Sequence, residues 1–263
     1  METNEVKSWL SPKRFVLAFA AVVGIGILLL VYHQITWEML VKVIVREDAS
    51  AVAILVRLNP LLVRCESSNG DTALALATER DRADIVRILI KAGSDMYHDT
   101  GRLGNSPNEA AYYGSAATVQ CFLDAGYDVN HQVKSMNNSG TVLYHASTGG
   151  NVEVVRLLIQ HGVVVNQANL EDGLTPLMGA MFPSHNARDR RGRVETVRLL
   201  LAAGAKRDLQ SREHKTAFDY LQEMLNLLPH SSSREVDENT SDEYRDIYLP
   251  LKEVEQLLIQ PQP

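Results

Sequence analysis

The side chains best suited to nucleophilic or metal chemistry are few in this 263-residue chain: eight histidines and two cysteines. Their spacing assembles neither kind of site. Cys65 and Cys121 form no CxxC pair, and no HExxH zinc motif is present. A Gly-x-x-x-x-Gly-Lys phosphate loop and a Gly-x-Ser-x-Gly elbow are also missing from the sequence. His145 falls inside an apolar run and His161 directly precedes Gly162, so both read as structural. The sequence therefore predicts no catalytic residue, no metal, no cofactor and no small-molecule substrate; the expectation is a protein that is not an enzyme. What remains are residue types that dominate the energy of protein interfaces, aromatics and arginines. Among these, Arg188, Arg190 and Arg191 cluster in one short segment.

Such residues need elements to hold them, and composition says that a folded scaffold is affordable. Hydrophobic residues make up 45% and charged residues 22%, which excludes wholesale disorder. Lys and Arg total 26 against 32 Asp and Glu, a net charge of −6, where a nucleic-acid binder would carry a basic footprint. No nucleic-acid partner is expected. Two cysteines cannot staple a secreted mini-protein.

The first element is an apolar helix. Phe15 to Tyr32 is free of charge, and twelve of its 18 residues are Phe, Val, Leu or Ile. Such a helix is about 27 Å long, close to the ~30 Å hydrocarbon core of a bilayer. The run ends in Leu-Val-Tyr-His-Gln, a poor cleavage site, so residues 15–32 are expected to be a retained signal-anchor. Lys7, Lys13 and Arg14 before it outnumber Lys42 and Arg46 after it. The positive-inside rule then puts residues 1–14 in the cytoplasm and the rest across the membrane.

Beyond the anchor the chain repeats itself. Glycines that close apolar helices recur at Gly93, Gly126, Gly162 and Gly204. Each copy opens at a capping residue such as Thr72, Thr141 or Thr175 and carries a small residue, Ala77, Ala110, Ala146 or Ala180. Apolar pairs follow, among them Ile85-Val86, Val154-Val155 and Leu199-Leu200, with Leu157 expected between stacked second helices. The second copy reads one residue out of step at Ser106-Pro107-Asn108, which predicts an irregular start to its first helix. Units of this size cannot bury their own apolar face, so they must stack into a solenoid.

These residues resemble the ankyrin repeat, most closely at Gly173-Leu174-Thr175-Pro176-Leu177 and at Val154 through Gly162. The resemblance implies an all-α solenoid of helix-turn-helix units with β-hairpin loops, preceded here by one transmembrane helix. Residues 33–68 are expected to be a linker and N-terminal capping unit, 69–228 the repeats, 229–248 an acidic mobile loop and 249–263 a C-terminal capping helix and tail. Eight extra residues in the fourth copy predict an arginine-bearing loop over 183–193. The resemblance also implies partner binding on the concave face. The matching positions are Glu79 and Arg80 in the first copy, Tyr112 and Tyr113 in the second, Thr148 in the third and Phe182 in the fourth, with Arg188, Arg190 and Arg191 beside them.

Chains of this kind are similar to membrane-tethered bacterial ankyrins. That likeness implies an inner-membrane protein whose solenoid faces the periplasm and grips one protein there. An immunity protein that neutralises a toxic effector, such as a secretion-system lipase, fits the pattern. An accessory that recruits a periplasmic enzyme, as a catalase helper would, or one that organises a membrane complex, fits it too.

Overall fold

The computed structural model describes residues 12–67, 69–101, 103–134, 140–182, 187–227 and 242–259. Residues 1–11 of the expected cytoplasmic segment and 229–241 of the acidic stretch lie outside them. Among the described residues there is no extended strand, only helices and two isolated antiparallel bridges, Glu66 with Thr72 and Val133 with Gly140.

Twelve α-helices among the described residues make six pairs. They are α1 (Pro12–Val45) with α2 (Ala49–Leu58), α3 (Ala73–Glu79) with α4 (Ala83–Lys91), and α5 (Ser106–Tyr113) with α6 (Ala116–Asp124). Then come α7 (Val142–Thr148) with α8 (Val152–Gln160), α9 (Pro176–Gly179) with α10 (Ala187–Ala202), and α11 (Ala217–Leu227) with α12 (Asp242–Ile259). The first members of successive pairs pack side by side from α1 to α11, and the second members do the same from α2 to α12. Two helical layers result, with one apolar core running the length of the stack.

Local chemistry sets where these helices begin and end. The side chains of Thr72, Thr141 and Thr175 each accept a hydrogen bond from the backbone N–H three residues on, at 3.1, 3.2 and 3.3 Å. In the second copy Asn105 takes that place, accepting from Asn108 N–H at 3.1 Å. Its helix therefore starts regularly, with Pro107 in the first turn where its missing N–H costs nothing. The expected irregularity is absent because an Asn caps as well as a Thr. The closing glycines Gly93, Gly126, Gly162 and Gly204 all hold φ between 75° and 94°, the left-handed region that ends a helix.

Three local readings change. Leu157 is only half-buried, whereas its neighbour Leu158 is fully buried, so Leu158 is the residue wedged between second helices. The extra residues of the fourth copy do not form a loop throughout: α10 starts at Ala187, so Arg188, Arg190 and Arg191 stand in its first turns. Ala and Arg are strong helix formers, and α10 gains a surface to lie on. That surface is the turn between α7 and α8, where Gly192 meets the carbonyl of Gly150 so closely that a β-carbon would collide with it. At the other end, α12 begins at Asp242 rather than at residue 249, and the helix as a whole packs on α10 and α11.

Helix α1 runs unbroken from its long apolar segment into the solenoid. Val23, Ile25, Ile27, Leu28, Val31, Tyr32 and Ile35 are exposed, whereas Trp37, Leu40 and Ile44 are buried against the cap. One rod thus serves both as the long apolar helix and as the first wall of the stack.

Candidate protein-interaction face

The first helices end in register. Counting seven residues on from the caps Thr72, Asn105, Thr141 and Thr175 gives Glu79, Tyr112, Thr148 and Phe182, one from each of four neighbouring first helices or the turn after them. Glu79 and Arg80 are exposed; Tyr112, Thr148 and Phe182 are half-buried. Tyr113 is 60% exposed and meets Tyr112 edge-on at 5.4 Å between ring centroids.

Each position is held from behind. The side-chain amide of Asn151 donates to the carbonyls of Ala111 and Tyr112 at 2.7 and 2.6 Å, fixing the end of α5 to the following pair. Thr148 donates its hydroxyl back to the carbonyl of Tyr144 at 2.9 Å. Phe182 packs on Tyr220 with ring centroids 5.4 Å apart. Its carbonyl accepts from the buried guanidinium of Arg193 at 2.7 Å. Tyr220 also lies under the Lys215 ammonium, 5.4 Å from the ring centroid, and donates to Ser211 at 2.9 Å.

Tyr220, Asn151 and Arg193 were not singled out by the sequence pattern. Asn151 becomes structural through the preceding copy, and Arg193 through Phe182 of its own copy and Met224 of the next. A signal for Tyr220 existed: with Phe218 it is one of two aromatics in the partial fifth copy that begins at Lys215. The side chains of Arg188, Arg190 and Arg191 lie outside the described residues, so the expected arginine cluster is fixed only as a backbone position in α10.

Burial favours the neutral forms of Cys65, Cys121 and His145. Among the described residues no group of three or more His, Cys, Asp or Glu side chains could hold a metal ion. Cys65 Sγ lies 2.9 Å from His33 Nε2, but burial pushes its thiol pKa up, whereas a reactive cysteine needs it lowered. Burial likewise raises Cys121, which sits against the Ala83 carbonyl and the Arg87 guanidinium. His145 is buried at 2% exposure, and desolvation lowers its pKa to about 4, so it is a neutral packing residue at pH 7.

A stack of helix pairs whose first-helix ends line up on one side is the architecture of a repeat protein built for binding. The family model "Ankyrin repeats (3 copies)" matches residues 108–212, and the model "Ankyrin repeat" matches residues 69–100. Together these cover more than half of the chain, which belongs to the ankyrin-repeat family. An ankyrin repeat protein of fowlpox virus is 28% identical over 165 residues, spanning 61% of this chain and 46% of the viral protein. Neurogenic locus notch homolog protein 2 of Homo sapiens is 29% identical over 164 residues, covering 52% of this chain and 6% of that one. The chain thus spans under half the length of these relatives. The crystal structure of EF0377, an ankyrin repeat protein, superposes with a TM-score of 0.58 at 20% identity, covering 81% of this chain and 96% of that one. A solenoid of ankyrin repeats is a protein–protein interaction module, and here it carries one apolar helix long enough to cross a membrane.

Proposed function

We propose that the protein is a non-enzymatic, membrane-tethered adaptor that grips one protein partner across the ends of its first helices. The observation that carries this is the row Glu79–Tyr112/Tyr113–Thr148–Phe182, in which four successive repeats present outward side chains of unlike chemistry over an otherwise uniform core. A row with Tyr113 60% exposed at its middle supplies the rigid aromatic area that interface hot spots use. Exposed Arg80 adds a cationic anchor, and Arg188, Arg190 and Arg191, carried on the backbone of α10, are proposed as partner contacts as well.

The anchor helix holds residues 33–263 on the far side of an inner membrane, in the periplasm, in line with the flanking Lys7, Lys13 and Arg14. The partner in that compartment is a folded protein. A toxic effector of the lipase kind, neutralised by this chain as an immunity protein, suits a module that has binding residues and no catalytic ones; an enzyme recruited to the membrane would use the same face.

The test is affinity purification of the full tethered chain from membranes, with mass spectrometry of what it retains, run in parallel with Tyr113→Ala. Recovery of one secreted or periplasmic protein by the parent and its loss from the variant is the expected result. A partner retained equally by both chains would move the interface elsewhere, and a purely cytoplasmic partner would reverse the topology.

A further inference from the structure

The N-terminal cap carries an apolar feature that the interaction face does not use. Helix α2 turns its Val52 and Val56 inward against α1, yet Ile54 and Leu58 remain 60% and 71% exposed. The single-turn helix that follows, Pro60–Arg64, buries Leu62 and Val63 and leaves Leu61 63% exposed. Asn59 and Pro60 form the turn between the two leucines, and the exposed Arg57 and Arg64 bracket it. Large exposed aliphatics concentrated at one turn are costly unless something covers them.

Two contacts fix the height of this turn along α1. Asn59 donates its side-chain amide to Thr36 Oγ1 at 3.3 Å, and Cys65 Sγ lies 2.9 Å from His33 Nε2. The turn is therefore level with residues 33–36. The apolar run of α1 ends at Tyr32, where the polar His33-Gln34 pair follows. At about 1.5 Å of rise per residue, Thr36 stands roughly 6 Å beyond that end. The headgroup layer on each side of a bilayer is about 5–7 Å deep, the difference between a ~30 Å core and a 40–45 Å membrane shared over two leaflets. Because α1 is one continuous helix, nothing between anchor and cap can swing the turn away from that level.

We infer that the Leu58-Asn59-Pro60-Leu61 turn is a second membrane contact, in which Leu58 and Leu61 enter the headgroup–acyl boundary of the bilayer that α1 crosses while Arg57 and Arg64 meet anionic headgroups. The inference rests on the reading of α1 as a membrane anchor. The occupant follows from continuity: the exposed leucines adjoin the apolar surface of α1 at the depth where it leaves the hydrocarbon. Aliphatic side chains with flanking arginines are the composition of an interfacial segment. The contact makes the tether rigid in tilt as well as in length, so the partner-binding face meets its target at a set angle to the membrane.

The test uses the full chain with Trp9 and Trp37 replaced by phenylalanine, reconstituted into vesicles of phosphatidylcholine and phosphatidylglycerol. Part of the phosphatidylcholine carries bromine near the top of its acyl chains, a short-range quencher of tryptophan. Three single-tryptophan chains are compared: Leu61→Trp in the turn, Leu28→Trp in the anchor, and Leu227→Trp at the distant end of the solenoid, a site 84% exposed. Expected is quenching of Leu61→Trp at least threefold above that of Leu227→Trp, with Leu28→Trp also quenched. If Leu28→Trp is quenched and Leu61→Trp matches Leu227→Trp, the anchor stands and the second contact is overturned. A blue-shifted but unquenched Leu61→Trp assigns the turn to a protein contact and overturns it as well. If neither Leu28→Trp nor Leu61→Trp is quenched, the anchor reading itself fails and the inference falls with it.

Discussion

Four residues before the closing glycines of the second helices stand Leu89, Phe122, Leu158 and Leu200, each no more than 1% exposed. Seven residues after the caps of the first helices stand Glu79, Tyr112, Thr148 and Phe182, all at least partly open to solvent. Both sets recur with the repeat, yet the first is uniformly apolar and the second has no shared chemistry. Repetition is needed where neighbours must interlock, because each buried side chain fills space that the next unit leaves. It is not needed at the ends of the first helices, where the scaffold is already paid for and each unit is free to carry a different side chain. That contrast separates a packing layer from the proposed recognition surface, and substitutions can break or sharpen it.

The sharpest break is in the packing layer. Leu158→Ala is expected to cost about 2–5 kcal/mol, and the adjacent Leu157→Ala clearly less, because only Leu158 is fully buried. Chemical unfolding of the full chain in detergent measures both; equal losses would erase the distinction drawn between the two leucines.

A comparably large effect comes from acid. His145 in the first-helix layer has a folded pKa of about 4 against an unfolded value near 6.5. The unfolded chain takes up the proton first, so stability present above pH 6.5 is lost as pH falls from 6.5 towards 4. At about 1.4 kcal/mol per unit the loss approaches 3 kcal/mol. In His145→Gln the parent-minus-variant difference between pH 7 and pH 4.5 should shrink accordingly; parallel stability curves would show that the imidazole is solvated after all.

Third in size is the seat of α10. Gly192→Ala places a methyl group against the Gly150 carbonyl and should destabilise by about 1–3 kcal/mol. A melting temperature unchanged from the parent would mean that the arginine-bearing turns of α10 do not rest on the α7–α8 turn.

The smallest change in stability, and the one that defines the recognition side of the contrast, belongs to Tyr113→Ala. At 60% exposure its truncation is expected to move stability by less than about 0.5 kcal/mol. Partner affinity is expected to fall by about 2 kcal/mol, roughly thirtyfold. Loss of stability without loss of affinity would assign the tyrosine to packing.

Much of this was legible in the chain before any coordinates. Thr72, Thr141 and Thr175 cap because a hydroxyl reaches a free N–H three residues away, and the closing glycines stop helices because they accept positive φ; both are matters of a few neighbouring residues. Asn105 was open to the same reading, but Ser106-Pro107 beside it drew the register off by one. The apolar pairs were legible as a class, though not which leucine of Leu157-Leu158 faces inward, since that depends on the rotation of α8 against α6 and α10. The candidate recognition positions were legible only through the repeat register, and their supports, Asn151 and Arg193, only through the fold.

The sequence by itself determined that this protein is a stack of ankyrin repeats joined to an apolar helix, because caps, stops and apolar spacing act within one unit and recur in every copy. Tertiary structure alone decided that α1 runs from its apolar segment into the solenoid without a joint, that the arginine segment winds into α10, and that the Leu58–Leu61 turn stands at the level of Thr36. Each of those depends on contacts between residues far apart in the chain, Thr36 with Asn59 and Gly150 with Gly192, and a local pattern carries no record of which distant backbone will arrive beside it.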